Sequence, residues 1–275
     1  MCLPGTVEAV REQQPQLTRR TVLAGGGAAA LAALLPGEAA AHKRRRFSRH
    51  GKVVDLTHAF RAGFPVYTGN PPSKRTLTNI VPEGFYKQEW TFDEHSGTHM
   101  DAPGHFVAGG RFTHQLRASE LILPIVVIDI SKRAASNPDA EVTADDLIRF
   151  ERRHGRIPRR ALVAMNSGWA AKAGDDAAFK GGPFGAYHFP GFSLSAVEYL
   201  LDRRRGAAIG VDTLSLDFGQ SATFDVHKTW LPADNYGLEN LANLHKLPPH
   251  GAVATVGVIP WHEGSGGPAR VIATY

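Results

Sequence analysis

The chain has 275 residues, 43% of them apolar, which is enough to bury a hydrophobic core as one α/β domain. Its single cysteine, Cys2, lies at the extreme N-terminus, so we expect no disulfide and no thiolate metal ligand in the mature protein. The six basic residues between Lys43 and Lys52 exceed the formal net charge of +5. The charge therefore reflects a local basic run, and we expect no nucleic-acid partner.

The N-terminal segment resembles a twin-arginine export signal. Arg19 and Arg20 precede a run of Gly, Ala and Leu over residues 24–35 that is too short to span a bilayer comfortably. The small residues at 39–41 predict cleavage near His42. The alternative is an ordinary N-terminal helix, which three consecutive glycines would weaken.

This interpretation divides the chain into three parts. We expect a signal peptide over 1–41, a flexible basic tail over 42–50 and one catalytic domain over 51–275. The mature protein would be periplasmic or extracellular, with no stable membrane insertion after signal cleavage.

Apolar runs bounded by turn residues predict strands in the domain. Several are apolar throughout, which is typical of strands covered on both faces. The Gly- and Pro-rich stretches 64–72 and 181–191 predict loops. The predicted strands are Val53–Leu56, Ile122–Ile130, Ala161–Met165, Ala207–Val211, Ala252–Ile259 and Val271–Thr274.

Two segments carry helix signals. Thr143–His154 begins with a capping threonine and an acidic first turn. Ser195–Arg205 opens with a capping-box pattern and stops at Gly206. Because strands outnumber helices and their spacing is irregular, we predict a mixed β-sheet flanked by helices.

A cluster of candidate metal ligands lies in the stretch HSGTHMDAPGHF, which begins at His95. Imidazole and carboxylate groups together suit Zn²⁺, Mn²⁺ or Fe²⁺. In one extended strand His95 and Asp101 would be roughly 20 Å apart, too far for one metal centre. We therefore predict a strand end running into a tight loop, with bends at Gly97 and Pro103. A hydrogen-bond network without metal is the alternative for such a cluster.

The same stretch resembles the HxGTHxDxPxHF signature of the cyclase family, which includes bacterial kynurenine formamidases and isatin hydrolases. Further similarity extends from Asp55 to Glu239. The loop Tyr67-Thr68-Gly69-Asn70 differs from the Trp-Pro-Gly-Asp that is common in formamidase-like members.

The resemblance implies a swivelling β/β/α fold, frequent homo-oligomers and one or two divalent metals per chain, Zn or Mn. His95, His99 and Asp101 would bind a first metal. His227 and Glu239 would complete a second site, with Asp101 bridging the two.

The resemblance further implies hydrolysis of an aryl formamide or cyclic amide, with His105 as general acid and base. For His105 the alternative is orienting Asp101 or His99. Tyr67 and Trp90 are candidate substrate contacts, although both could equally be core residues. Ester or lactone hydrolysis and polyketide-type cyclisation remain alternative reactions, and a metal-binding protein that sequesters a small molecule is the non-enzymatic alternative.

Overall fold

The computed structural model describes residues 51–275. The predicted signal peptide and basic tail, 1–50, lie outside the described residues. Contacts divide the described chain into a small unit, residues 74–89, and a large unit, residues 51–73 and 90–275. No helix within 51–275 has both the length and the apolar character needed to cross a membrane.

The strands follow the predicted positions closely. Each predicted strand is present to within one residue at its ends, except the last, which begins at Gly266 instead of Val271 because its first residues pair with a short strand over 99–101. The strands are β1 (Val53–Asp55), β2 (Ser73–Thr78), β3 (Lys87–Thr91), β4 (His99–Asp101), β5 (Ile122–Asp129), β6 (Glu141–Val142), β7 (Leu162–Asn166), β8 (Gly191–Phe192), β9 (Ala208–Val211), β10 (Tyr236–Glu239), β11 (Ala252–Val258) and β12 (Gly266–Thr274).

The main sheet has eight strands in the order β1-β12-β11-β5-β7-β9-β10-β4. Strands β5, β7, β9 and β10 run parallel to one another, whereas β1, β4, β11 and β12 pair antiparallel with their neighbours. The predicted mixed sheet is therefore confirmed. A further pairing of β12 with β4 closes seven of the strands into a ring, which the sequence did not predict.

Both faces of the central strands are buried, because alternate side chains enter different clusters. On β5, Ile125 and Val127 pack inside the ring, while Val126 and Ile128 pack against helices on the outer face. This explains why the strand is apolar throughout. The helices are α1 (Ile80–Glu83), α2 (Ser131–Ser136), α3 (Ala144–His154), α4 (Asp176–Lys180), α5 (Leu194–Arg204) and α6 (Asp225–Trp230).

The predicted start of α3 is confirmed and that of α5 is wrong. Thr143 caps α3 and shares a capping box with Asp146. Helix α5 begins at Leu194, and its N-cap is Ser193, two residues before the predicted cap Ser195, because the Ser193 side chain accepts the hydrogen bond from the Ala196 amide. It ends at Arg204, and a Cβ at Gly206 would lie 2.6 Å from the Trp230 ring, so this glycine is required by packing.

Candidate metal centre and active-site cleft

Three imidazoles and a second carboxylate, that of Glu239, converge around Asp101. His99 and Asp101 lie on the same face of β4, and Glu239 on the neighbouring strand pairs with His99. His227 comes from α6, and His95 from the loop before β4. Their ligand atoms form two groups, each within 4.8 Å: His95, His99 and Asp101, and Asp101, His227 and Glu239. Asp101 belongs to both, so the five residues assigned from the sequence meet in one place.

The loop before β4 bends at Gly97, as predicted. Its φ is +68°, a conformation that favours glycine, and a Cβ there would lie 2.7 Å from the Phe60 ring. The Gly97 carbonyl accepts hydrogen bonds from Asn240 Nδ2 at 2.8 Å and His99 Nδ1 at 2.9 Å. These bonds turn Nε2 of His99 toward the carboxylates. Pro103 begins a 3₁₀ turn over Pro103–His105, which is the second predicted bend.

Asp217, which sequence analysis did not single out, holds His227 in position. Its Oδ2 atom lies 2.6 Å from His227 Nδ1, and the carboxylate also accepts the amides of Val226 and His227. The other ring nitrogen faces Asp101 Oδ2 at 3.6 Å and Glu239 Oε1 at 3.3 Å. A carboxylate behind a histidine is the usual support for a metal ligand.

His95 differs from the other two histidines because both of its ring nitrogens have hydrogen-bond partners. Nδ1 lies 2.7 Å from Asp101 Oδ1, and Nε2 lies 3.1 Å from Ser265 Oγ. Ser265 in turn donates a hydrogen bond to Glu94. Neither Ser265 nor Glu94 belongs to a recognisable sequence motif, so only the fold reveals this support.

The cluster has the features of a cation site. His99 Nε2 and Asp101 Oδ2 are buried without a hydrogen-bond partner, a state that proteins rarely leave uncompensated. His99 Nε2 lies 3.3 Å from oxygens of both Asp101 and Glu239, but not in hydrogen-bond geometry. A divalent cation would satisfy these atoms, and the imidazole and carboxylate donors suit Zn²⁺ or Mn²⁺.

In the absence of a cation, the carboxylates of the cluster favour the protonated form of His99. Burial alone would lower the pKa of His99, but the carboxylates of Asp101 and Glu239 raise it to about 10. Burial is likewise outweighed at Asp101, where the three imidazoles that face the carboxylate hold its pKa well below its usual value. Metal binding must therefore displace protons.

The cluster opens into a cleft of about 360 Å³. His105 lies in this cleft with its ring stacked on His95 at a centroid distance of 3.9 Å. The loss of hydration within the cleft lowers the pKa of His105 below its ordinary value, although the residue remains partly open to solvent. Its side chain is thus a neutral imidazole at pH 7.

Aromatic side chains form part of the cleft wall. Phe224 packs against Tyr67 at 5.7 Å and against Phe106 at 6.0 Å, and the Phe106 ring stacks on His227 at 4.8 Å. Phe224 holds a left-handed backbone conformation at the start of α6, with φ 54°.

Of the two candidate substrate contacts, only Tyr67 is among the residues that line the cleft. Tyr67 lines the cleft, whereas the Trp90 ring packs on Phe60, 5.5 Å away, and is not among the cleft residues. The position of Trp90 therefore gives no support to a substrate contact. Ser167, which follows β7, is buried and donates its hydroxyl to Asp212.

Comparison with known proteins shows which family this chain resembles. The sequence profile of the cyclase family, described as "Putative cyclase", matches residues 54–218. The chain is 38% identical over 241 residues to an isatin hydrolase of Roseibium aggregatum, an alignment that covers 81% of this chain and 91% of the relative.

Solved structures give the same result. An isatin hydrolase bound to the product analogue thioisatinate superposes with a TM-score of 0.77 at 32% identity, covering 82% of this chain and 93% of that one. Isatin hydrolase A from Labrenzia aggregata, bound to benzyl benzoate, has a TM-score of 0.76 at 33% identity, covering 81% and 93%. The chain therefore belongs to the cyclase family.

Proposed function

We propose that this protein is a metal-dependent hydrolase that cleaves the amide C–N bond of an aromatic cyclic amide of the isatin type. The observation that carries the proposal is the buried cluster around Asp101 opening into a cleft with an aromatic wall and a neutral imidazole. Similarity to isatin hydrolases over most of both chains supports the same reaction class.

In this proposal His95, His99 and Asp101 hold one divalent cation, and Asp101, His227 and Glu239 can hold a second. A divalent cation at such a site makes a nucleophilic water available near neutral pH and polarises the carbonyl oxygen. The two unpartnered buried atoms, His99 Nε2 and Asp101 Oδ2, favour a cation over a plain hydrogen-bond network.

His105 is proposed as the general base and acid. Its neutral ring can take a proton from the attacking water and return it to the leaving nitrogen when the C–N bond breaks. The water oxygen joins the carbonyl carbon as the C–N bond breaks, so the ring opens to an aryl amine and a carboxylic acid, which releases its proton to solvent as a carboxylate. Stacking on His95 keeps the His105 imidazole beside the cation site without making it part of either ligand group.

The aromatic wall is proposed to orient the substrate. Tyr67, Phe106 and Phe224 offer ring faces and edges within a small cleft, and aromatic rings gain from such contacts beyond simple burial. A relative in this family binds benzyl benzoate, an aromatic ester, which keeps aryl esters as the second candidate substrate class.

A substrate panel tests the proposal. Purified protein supplied with Mn²⁺ or Zn²⁺ should hydrolyse isatin faster than N-formylkynurenine, and faster than a simple aryl ester. A preference for the formamide or the ester would move the protein to a different substrate class. Bound metal without hydrolysis of any compound would favour a sequestering protein and contradict the proposed reaction.

A further inference from the structure

A second cavity, of about 480 Å³, lies away from the catalytic cleft. It is lined by the loops that precede three adjacent parallel strands, β7, β9 and β10, and so lies at their amino-terminal edge. Glu239 ends β10, whereas Tyr236 begins it and lines this cavity. The length of the strand, roughly 10 Å, separates the cavity from the proposed cation site.

The lining has an excess of positive charge. Five arginines and only two carboxylates surround the cavity, which leaves a formal charge of +3. Arg111 engages both carboxylates, with Nε 2.7 Å from Asp234 Oδ1 and Nη1 3.1 Å from Glu120 Oε2. Arg117 shares Glu120 at 3.1 Å. The acidic groups of the cavity are thus already occupied by two of the arginines.

Arg159, Arg160 and Arg205 have no such partner. Their guanidinium groups form neither an ion pair nor a hydrogen bond with any side chain in residues 51–275, and all three residues are exposed. Three unneutralised guanidinium groups around one concavity repel one another unless an anion lies between them. Guanidinium groups also bind phosphate and carboxylate oxygens in pairs.

The backbone fixes two of these arginines to each other. Arg160 and Arg205 both hold left-handed conformations, with φ 58° and 48°, and the Arg160 amide donates to the Arg205 carbonyl at 3.1 Å. Glycine would relieve the backbone at either position. Non-glycine residues in this region concentrate at functional sites, and here the strained positions carry charges that line one cavity.

We propose that this cavity binds a compact anion with at least two negative charges, of the pyrophosphate class. The cavity is large enough for a small molecule but too small for a macromolecular surface. Arg111, held by Glu120 and Asp234, gives the cavity a fixed wall, and the three unpaired arginines supply the ligand contacts.

Calorimetric titration of the metal-loaded protein with pyrophosphate tests the proposal, with sulfate in a parallel titration at equal ionic strength. We expect saturable binding of one pyrophosphate per chain and weaker binding of sulfate. The double variant Arg160→Gly/Arg205→Gly should weaken pyrophosphate binding at least ten-fold, while its melting temperature stays equal or rises because glycine accepts both conformations. Pyrophosphate that extracts the catalytic metal would also give a signal, and this signal would persist in the double variant. Only the pyrophosphate binding that the double variant loses is therefore assigned to the cavity.

The matched control is Arg152→Ala/Arg153→Ala, which removes the same charge from the exposed end of α3. We expect it to change the affinity less than two-fold. Equal weakening by both double variants would show general charge attraction and overturn the proposal. Absence of saturable pyrophosphate binding to the wild-type protein would overturn it as well.

Discussion

Asp101 is the residue on which the proposed cation site depends most. It belongs to both ligand groups, and its carboxylate faces all three imidazoles from a fully buried position. The neighbouring histidines differ in how they are held: His99 by a backbone carbonyl and His227 by Asp217. Each of these supports sets which ring nitrogen faces the cluster.

His105 is separable from the ligands, which makes its role testable. The variant His105→Ala should keep wild-type metal content and lose roughly 10²- to 10⁴-fold in turnover, because a proton-transfer group is removed without loss of a ligand. Elemental analysis and a hydrolysis assay on one preparation measure both quantities. His188→Ala, at a histidine paired with Asp139 outside the cleft, is the control. A fall in metal content would instead show that His105 orients the ligands.

A substitution at Glu239 tests whether its carboxylate is a metal ligand or only a structural group. The substitution Glu239→Gln keeps an oxygen that can accept the Leu216 amide, a bond of 2.9 Å in the wild type, but removes the charge. We therefore expect fewer metal ions per chain with little change in fold. Unchanged metal stoichiometry would exclude Glu239 as a ligand.

At the scale of elements, the site depends on the start of α6. Asp217 accepts the first amides of this helix and also the His227 ring, so one carboxylate sets both the helix position and the ligand direction. We expect Asp217→Asn to weaken metal affinity by roughly 10- to 100-fold, because its amide cannot support His227 as a carboxylate does. Competitive chelator titration measures this. Asp225→Asn on the same helix is the matched control, and an equal effect there would contradict a specific role for Asp217.

The sequence predicted the local elements better than their assembly. Continuous apolar runs identified β5 and β7 because both faces of these strands are buried. Strand β10 was missed because Tyr236–Glu239 has only four residues and includes a glycine. Ring closure through β12 and β4 is a long-range pairing that no local pattern contains.

The candidate site was predicted unevenly for the same reason. The residues from His95 to His105 lie within one motif, and Gly97 and Pro103 signalled its bends. His227 and Glu239 were assigned only through family resemblance, since a separation of twelve residues does not itself indicate a shared site. Asp217 and Phe224 carry no signal of their own, because their roles arise from where α6 packs.

At the scale of the whole molecule, the cluster links stability to pH. A histidine whose pKa is raised from 6.5 to about 10 stabilises the fold fully below pH 6.5, and this contribution is lost as pH rises through 10. The melting temperature of the metal-free protein should therefore fall by roughly 3 °C or more between pH 7 and pH 10. Saturating metal should abolish or reverse the trend, because the cation needs unprotonated imidazoles.

Thermal unfolding across this pH range, with chelator and with Mn²⁺, measures the effect. His99→Ala provides the reference, since it lacks the shifted group and should show a flatter pH dependence in chelator. Identical pH profiles for the wild type and this variant would exclude coupling between His99 and stability.

Export and homo-oligomer formation remain proposals about the whole molecule. Residues 18–41 support export through a twin-arginine signal, which carries folded proteins and would suit an enzyme loaded with metal beforehand. Oligomer formation rests on family resemblance alone.

The most direct test of the central claim is isatin hydrolysis by one preparation before metal removal, after chelation and after reconstitution, with metal content measured at each stage. The cluster around Asp101 predicts that activity disappears with the metal and returns with Mn²⁺ or Zn²⁺ in proportion to the metal bound. Full activity in protein shown to be free of metal would contradict it.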